Sequence, residues 1–179
     1  MSKHQFWKTE VLELKELKKL FNLGERNFSH AALQNANLQK AELTGINLSD
    51  ANLYQANLRK AHLDLAFLNN GVFYGADMRE INLYRASLIE ADLFNANLCK
   101  ANLNHANLSG ANLQNANLHR AQLVWANLRH ANLKNARLDR ANLEGAKFCC
   151  TIMPDGSIRN DECSHYQCSI PQKSRPTAN

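Results

Sequence analysis

Large apolar residues recur at every fifth position from Phe28 to Phe148 without a gap. Of these 25 positions, 21 hold Leu, three hold Phe and one holds Met78. A second position, two residues earlier, is Ala in 21 of 25 cases, and the residue between the two is usually Asn. The exceptions at the Ala position are Arg26, Ile46, Gly71 and Ile81. This part of the chain is therefore built from one five-residue unit.

A period of five fits neither an α-helix nor a continuous strand, so the backbone must change direction within each unit. The Ala and Leu positions, two residues apart, can both point inward from a short extended segment. The corner must then lie in the two polar residues after each Leu. The second corner residue is Asn or Gly in nine of 25 units, and these residues tolerate the positive φ of some tight turns.

A weaker pattern of twenty residues indicates how many corners close one coil. At every fourth unit the second corner residue is charged: Lys40, Lys60, Glu80, Lys100, Arg120 and Arg140. The column that contains Asn35, Gly75 and Asn115 holds Asn or Gly at all but one position. Positions twenty apart resemble one another more than positions five apart, which predicts four units in each coil.

Uninterrupted units such as Ala36-Asn37-Leu38 and Ala101-Asn102-Leu103 resemble the A(N/D)LXX motif of the pentapeptide-repeat protein family, over about two-thirds of the chain. The resemblance implies an all-β fold, a right-handed quadrilateral β-helix (a solenoid) of about six coils whose interior is filled by the Leu/Phe and Ala ladders. The C-terminal Met153-Pro154-Asp155-Gly156 resembles the tails of cyanobacterial members.

The two ends of a solenoid must be covered against edge-to-edge association. Residues 2 to 22 have an apolar face and the Ser2–Gln5 capping box of an amphipathic helix, and Gly24 suits its end. We expect residues 1–24 to cap the first coil, with membrane or partner binding as the alternative. Residues 25–150 form the β-helix, and 151–179 a turn or hairpin cap followed by a disordered tail.

Departures from the Ala rule predict local packing. In a four-sided coil Gly71 and Ile81 lie on opposite walls, so the missing methyl group of the glycine could make room for the isoleucine. We therefore expect a Gly71→Ala change to destabilise the protein mainly through Ile81.

The chain contains no apolar run of about eighteen residues and no secretory signal, so we expect a cytoplasmic protein without a membrane contact. Its cysteines are Cys99, Cys149, Cys150, Cys163 and Cys168. In that compartment we expect reduced thiols, with a disulfide clasp as the alternative. The C-terminal four could ligate zinc with His165, but their spacing matches no common ligand pattern, so we expect no metal and no cofactor.

Two surface features are candidates for function. If coils repeat every twenty residues, Tyr54, Tyr74 and Phe94 stack on one outer wall, with Trp125, Val124, Leu65 and Phe67 exposed elsewhere. Exposed apolar surface often marks a partner site, although stacked rings can also merely reinforce neighbouring strands. The second feature is a basic wall interrupted by Asp77, Glu80 and Asp139; its members are Lys40, Arg59, Lys60, Arg79, Lys100, Arg120, Arg137 and Arg140. It could bind an anion or be a solvated face.

These features favour a non-enzymatic scaffold that binds an unidentified protein, because a packed shaft without long insertions offers no catalytic pocket. We expect a monomer if both ends are sealed. Binding of nucleic acid or another polyanion through the basic wall is the alternative. In the family that this chain resembles, some members protect DNA gyrase by imitating negatively charged DNA, and one cyanobacterial member influences heterocyst patterning. The net charge of +5 disfavours DNA mimicry here.

Overall fold

The computed structural model of the chain describes residues 14–161 and residue 163. Helix α1 (Leu14–Asn22) comes first, and a short antiparallel hairpin of β1 (Thr151–Ile152) and β2 (Ile158–Arg159) comes last. In the hairpin Thr151 pairs with Arg159, and Ile152 pairs with Ile158. All the chain between α1 and β1 is coiled into stacked five-residue units.

Parallel β-bridges hold successive coils together, and each joins residues twenty apart at the Asn position of the unit, from Asn27↔Asn47 to Asn132↔Ile152. Each bridge is made by backbone hydrogen bonds. The amide of Leu53 donates to the carbonyl oxygen of Val72 at 2.7 Å, and the amide of Val72 donates to Ala51 at 2.9 Å. The predicted four units per coil are therefore confirmed, and side chains twenty residues apart form columns along four walls.

Each corner up to residue 146 is a β-turn closed by the amide of the residue at the next Ala position, as where Ala56 donates to the carbonyl oxygen of Leu53 at 3.0 Å. The second corner residue has positive φ in every unit from His30 (61°) to Cys150 (49°). Positive φ at the third residue is the signature of a type II turn. Every unit therefore needs positive φ at this position, but only nine of the 25 positions hold Asn or Gly. Residues as large as Trp125 (59°) adopt the same conformation.

The Leu and Ala ladders fill the interior. Leu38, Leu58 and Leu98, which lie in one column, are all fully buried, as are most members of both ladders. Burial becomes partial in the last coil, where Leu138 and Leu143 only pack against the edge of the core. The reason is that, among the described residues, the parallel bridges continue past this coil on only two of the four walls, so the other two walls have no further coil stacked on them.

The predicted pairing of Gly71 with Ile81 is wrong. A Cβ atom built on Gly71 would lie 2.7 Å from Cε2 of Phe73 and 3.1 Å from the carbonyl oxygen of Leu68, and Ile81 is not among its nearest neighbours. The phenylalanine ring takes the place of a Leu side chain in the same unit and extends into the space of the neighbouring Ala position. The glycine therefore accommodates Phe73.

Helix α1 lies against the first coil. Leu17 is fully buried in the core cluster, and Leu14, Leu20 and Phe21 pack against it. The helix ends in a Schellman motif, because the amide of Gly24 (φ 94°) donates to Phe21 and the amide of Glu25 donates to Leu20, each at 3.0 Å. The first part of the predicted helix, including its capping box at Ser2 and Gln5, lies outside the described residues.

The register of the ladder continues for one unit after residue 150. Thr151 occupies an Ala position and is buried, and its hydroxyl donates to the carbonyl oxygen of Leu128 at 2.7 Å. Met153 occupies the following Leu position and packs against the core. The guanidinium of Arg159, on β2, lies 3.8 Å from the ring centroid of Phe148. The hairpin thus adjoins the last aromatic residue of the Leu ladder.

Candidate interaction surfaces

Three aromatic rings form a continuous stack on one wall, which we call the aromatic column: Tyr54, Tyr74 and Phe94. The centroids of the first two rings are 5.5 Å apart at an interplanar angle of 18°, and those of the second pair are 5.2 Å apart at 12°. All three occupy first corner positions in successive coils, and stacked strands lie about 4.8 Å apart. The backbone ladder therefore sets the ring spacing.

The stacking determines which part of each ring a partner could touch. The two faces of Tyr74 are covered by its neighbours, so this central ring can present only its edge and its hydroxyl to a partner. Tyr54 is 39% exposed, whereas Tyr74 and Phe94 are half-buried. Val72, in the same unit as Tyr74, is a further exposed apolar residue. The sequence indicates this exposure, because Val72 stands at the outward-facing position of the unit that is usually Asn.

The other apolar candidates do not join the aromatic column. Leu65 and Phe67 are about half exposed, as is Trp125, while Val124 is half-buried. Trp125 lies across the backbone of the next coil, because a Cβ atom built on Gly145 would be only 2.7 Å from its indole ring. Glycine at residue 145 therefore leaves room for the tryptophan.

Four of the eight cations of the basic wall are paired with its three carboxylates, Asp77, Glu80 and Asp139. Arg59 and Lys60 both contact the Glu80 carboxylate, at 3.3 and 3.4 Å. Arg79 donates two hydrogen bonds to Asp77, from Nε at 2.7 Å and from Nη2 at 2.6 Å, and these bonds lower the pKa of the Asp77 carboxyl. The remaining pair, Arg137 with Asp139, lowers the pKa of the Asp139 carboxyl in the same way.

The other cations of the wall are Lys40, Lys100, Arg120 and Arg140. Among residues 14–161 and 163, no carboxylate lies within ion-pair distance of them. Three of them, Lys100, Arg120 and Arg140, are exposed second corner residues of consecutive coils, about 4.8 Å apart along the shaft. The positive charge available to a ligand is thus concentrated toward the C-terminal half of the wall.

The expectation of reduced thiols is wrong for Cys149 and Cys163, which form a disulfide in this structure, and Cys168 lies outside the described residues. The hairpin returns the chain to the last corner and places residues fourteen apart in sequence at a Cα distance of 5.2 Å. The Cys150 sulfur lies 4.0 Å from that of Cys149. Cys99 is a half-buried free thiol on the basic wall, far along the shaft from this cluster.

The geometry defines the chain as a solenoid of stacked five-residue units. It belongs to the pentapeptide-repeat family: the sequence profile described as pentapeptide repeats matches in eight copies, over residues 27–64, 91–129 and 126–155. A comparison with curated protein sequences finds no match. No helix among the described residues is long and apolar enough to cross a membrane.

Several solved structures are similar to this chain, including cyanobacterial pentapeptide-repeat proteins. Rfr23 of Cyanothece 51142 is 30% identical, with 76% of this chain and 98% of that chain covered and a TM-score of 0.47. HetL of Nostoc sp. strain PCC 7120, involved in heterocyst differentiation regulation, is 27% identical over 83% and 100%, with a TM-score of 0.29. QnrB1, a plasmid-mediated fluoroquinolone resistance protein, is 17% identical over 68% and 81%, with a TM-score of 0.40.

Proposed function

We propose that this protein is a non-enzymatic scaffold that binds a partner protein through the wall carrying the aromatic column. The observation that supports this most directly is the stack of Tyr54, Tyr74 and Phe94, with Val72 beside it. Tyrosine is enriched among the residues that dominate binding energy at protein interfaces, since it combines apolar area with a hydroxyl.

Rigidity supports the same proposal. Side chains that lose rotamer freedom on binding cost about 0.5–1.5 kcal/mol each, and rings already held against their neighbours lose less. Because the central ring, Tyr74, presents only its edge and hydroxyl, the complementary surface would be apolar with a hydrogen-bond acceptor or donor at its centre. A planar ligand that stacks on ring faces could not insert between these rings without separating the coils.

The test compares proteins that are crosslinked to the purified wild-type chain in its native cell extract with those crosslinked to two variants. Tyr74→Ala should lose the specific partner, whereas Gln114→Ala should retain it, since Gln114 occupies the same column two coils away. Both variants must show the wild-type circular dichroism and melting profile. Equal capture of the same protein by wild type and Tyr74→Ala would refute this use of the column.

Polyanion binding is the second candidate, because Lys100, Arg120 and Arg140 form an exposed column without carboxylate partners among the described residues. Three phosphate contacts predict a slope of about −2 to −3 in a plot of log affinity against log salt concentration. This mode needs neither Tyr74 nor the aromatic column, so the two proposals can fail separately.

A titration of fluorescent single-stranded DNA at several salt concentrations tests the second candidate. Arg120→Ala should lower the affinity and reduce the slope by about one, whereas Arg79→Ala should have little effect because Arg79 is occupied by Asp77. A slope near zero, or equal effects of the two substitutions, would exclude specific binding through these three cations. Modulation of gyrase by DNA mimicry is a weaker third candidate, since the net charge is +5.

We also propose that the coil is right-handed and that residues 1–24, 25–150 and 151–179 act as cap, shaft and C-terminal cap, with Thr151 and Met153 of the C-terminal cap completing the last unit of the ladder. Connections between parallel strands of one sheet are right-handed in about 98% of cases. The burial of Leu17 by the first coil supports the N-terminal assignment. A crystal structure would test both, and a left-handed coil or a detached α1 would refute them.

A further inference from the structure

Exposed apolar side chains cluster at one corner of the shaft. We call this surface the corner patch and define it by three stacked segments of successive coils, residues 47–55, 67–75 and 87–95. Eight large apolar side chains are exposed among the described residues, and four of them lie in this patch: Tyr54, Phe67, Val72 and Ile89. Phe67 is the most exposed of the four, at 53%. The apolar surface of this region is therefore wider than the aromatic column alone.

The fold places these side chains near one another although they come from different coils. Phe67 and Val72 face outward from adjacent walls, at the positions that are usually Asn. Ile89 lies at the corner between those walls, one coil further on, where its amide donates to Oδ1 of Asn69 at 3.0 Å. An apolar path therefore leads from Phe67 over the corner to Val72 and on to the aromatic column.

The charge of the corner patch is opposite to that of the whole chain. The patch contains three carboxylates and no Lys, Arg or His, a formal charge of −3, whereas the chain carries +5. The amide of Asp50 donates to the carbonyl oxygen of Asn69 from the preceding coil, and Asp92 is bridged to Val72 from the following coil. Among the described residues, neither Asp50 nor Asp92 has an ion pair. Carboxylates thus border the apolar path on both sides along the shaft.

We propose that the corner patch binds a basic segment of the partner protein, in which apolar side chains are flanked by Lys or Arg. This inference rests on the proposed function, because it extends the contact of that partner from the aromatic column to Phe67 and names its chemistry. The apolar side chains of the segment cover Phe67 and Val72, and its cations lie beside Asp50 and Asp92. A polyanion would be repelled by this charge, so the corner patch is distinct from the exposed cations of the basic wall.

The shape of the corner patch favours an extended segment over a helix. A straight helix can lie along only one of the two walls that carry Phe67 and Val72, whereas an extended chain can bend over the corner and contact both. The patch spans three coils, so its outer coils are only about 10 Å apart. That height suits a single chain, since a globular partner usually buries about 800 Å² on each side of an interface.

The test measures fluorescence anisotropy with the purified full-length protein and three pools of labelled peptides. Each peptide has about 15 residues, which span up to roughly 50 Å when extended, and a central Pro that prevents a continuous helix. The first pool alternates Phe or Leu with Lys or Arg. The second has Asp or Glu in place of the cations, and the third has Ser in place of the apolar residues. The first pool should bind at least about tenfold more tightly than the other two, and equal binding of the pools would overturn the proposal.

Substitutions by Asn test the two kinds of contact without changing the repeat, because other units carry Asn at the same positions. Phe67→Asn should weaken binding of the first pool by about tenfold or more, as expected for an aromatic anchor. The double variant Asp50→Asn/Asp92→Asn should also weaken it and remove most of its dependence on salt. Unchanged binding by either variant would overturn the proposal.

Two control variants lie outside the corner patch. Trp125→Asn removes another exposed aromatic side chain, and Glu144→Gln removes another carboxylate. Both should bind the first pool like wild type, and losses equal to those of the patch variants would overturn the proposal. Circular dichroism and melting profiles show whether each variant keeps the wild-type fold.

Adding Phe67→Asn to the crosslinking comparison separates this inference from the proposed function. A partner that is lost by Tyr74→Ala and by Phe67→Asn, but retained by Gln114→Ala, supports both. A partner that Tyr74→Ala loses and Phe67→Asn retains would overturn this inference and leave the proposed function standing. Retention of the partner by Tyr74→Ala as well would refute the two together.

Discussion

At the scale of single residues, the second corner position imposes one backbone conformation on chemically different side chains. Residues as unlike as Lys100, His105 and Trp125 all have φ close to 59° there. Left-handed φ costs an L-amino acid roughly 1–2 kcal/mol relative to the right-handed region. The turns are therefore locally strained, and the ladder of bridges on either side of each turn must compensate for that strain.

A matched pair of glycines in one column separates this strain from a steric clash. Gly45→Ala should cost about 1 kcal/mol, because φ is 72° but a Cβ atom would meet nothing within 4 Å. Gly145→Ala should cost more, because its Cβ atom would collide with the ring of Trp125. Urea denaturation measures both losses. In a Trp125→Ala background the two costs should become equal, and a persistent excess at Gly145 would contradict the role of the indole.

Gly71→Ala is expected to lose about 1–3 kcal/mol by overpacking against Phe73. The loss should fall below about 1 kcal/mol in a Phe73→Leu background, since the smaller side chain leaves room for the methyl group. The control is an Ile81→Ala background, in which Gly71→Ala should lower the free energy of unfolding by the same amount as in the wild type. A double-mutant cycle by chemical denaturation measures both couplings, and coupling to Ile81 alone would refute this assignment.

At the scale of elements, side-chain pairs within and between neighbouring coils supplement the backbone bridges. The Asp77–Arg79 pair lies within one unit, while Arg59 reaches to Glu80 of the next coil. Neither is visible in the five-residue pattern, because both join charged positions that the pattern treats as variable. Exposed pairs of this kind contribute about 0.2–1 kcal/mol each.

The Asp77 pair predicts a specific dependence of stability on pH. Hydrogen bonds from Arg79 lower the pKa of Asp77 in the folded state, so the unfolded chain binds its proton more readily. The stabilisation is present above the unfolded pKa of about 3.9 and is lost as pH falls through the lower folded pKa. The stability difference between wild type and Asp77→Asn should therefore shrink below about pH 4 in urea melts. In an Arg79→Ala background, which lacks the donor of these hydrogen bonds, the difference should lose this dependence on pH.

At the scale of the whole molecule, each coil contacts only its neighbours, so stability should depend on position along the shaft. Leu103 and Leu143 occupy the same column, but Leu103 is fully buried and Leu143 only half-buried. Leu103→Ala should cost about 2–5 kcal/mol, and Leu143→Ala clearly less. Thermal and chemical denaturation measure both, and equal losses would show that the last coil is as well packed as the centre.

The sequence determines the parts of this fold that depend on period alone. The alignment of Leu38, Leu58 and Leu98 and the stacking of Tyr74 between its neighbours follow from repeats of five and twenty. The packing partner of Gly71 does not follow from the repeats, because it depends on the direction in which the Phe73 ring points inside the coil. The Cys149–Cys163 contact does not either, because it depends on a hairpin outside the periodic register.

The twenty-residue register of the bridges constrains how such a chain can change its length. Removing or duplicating twenty residues would delete or add one complete coil and leave the side chains of every outer column aligned. Removing five residues would keep the Leu and Ala ladders intact, because every unit has the same inward-facing residues. It would, however, rotate all the coils that follow the deletion by a quarter turn relative to those before it. A five-residue deletion between Tyr74 and Phe94 would thus move the phenylalanine around the corner onto another side. Only insertions and deletions of whole coils therefore preserve the arrangement of side chains on the outer surface.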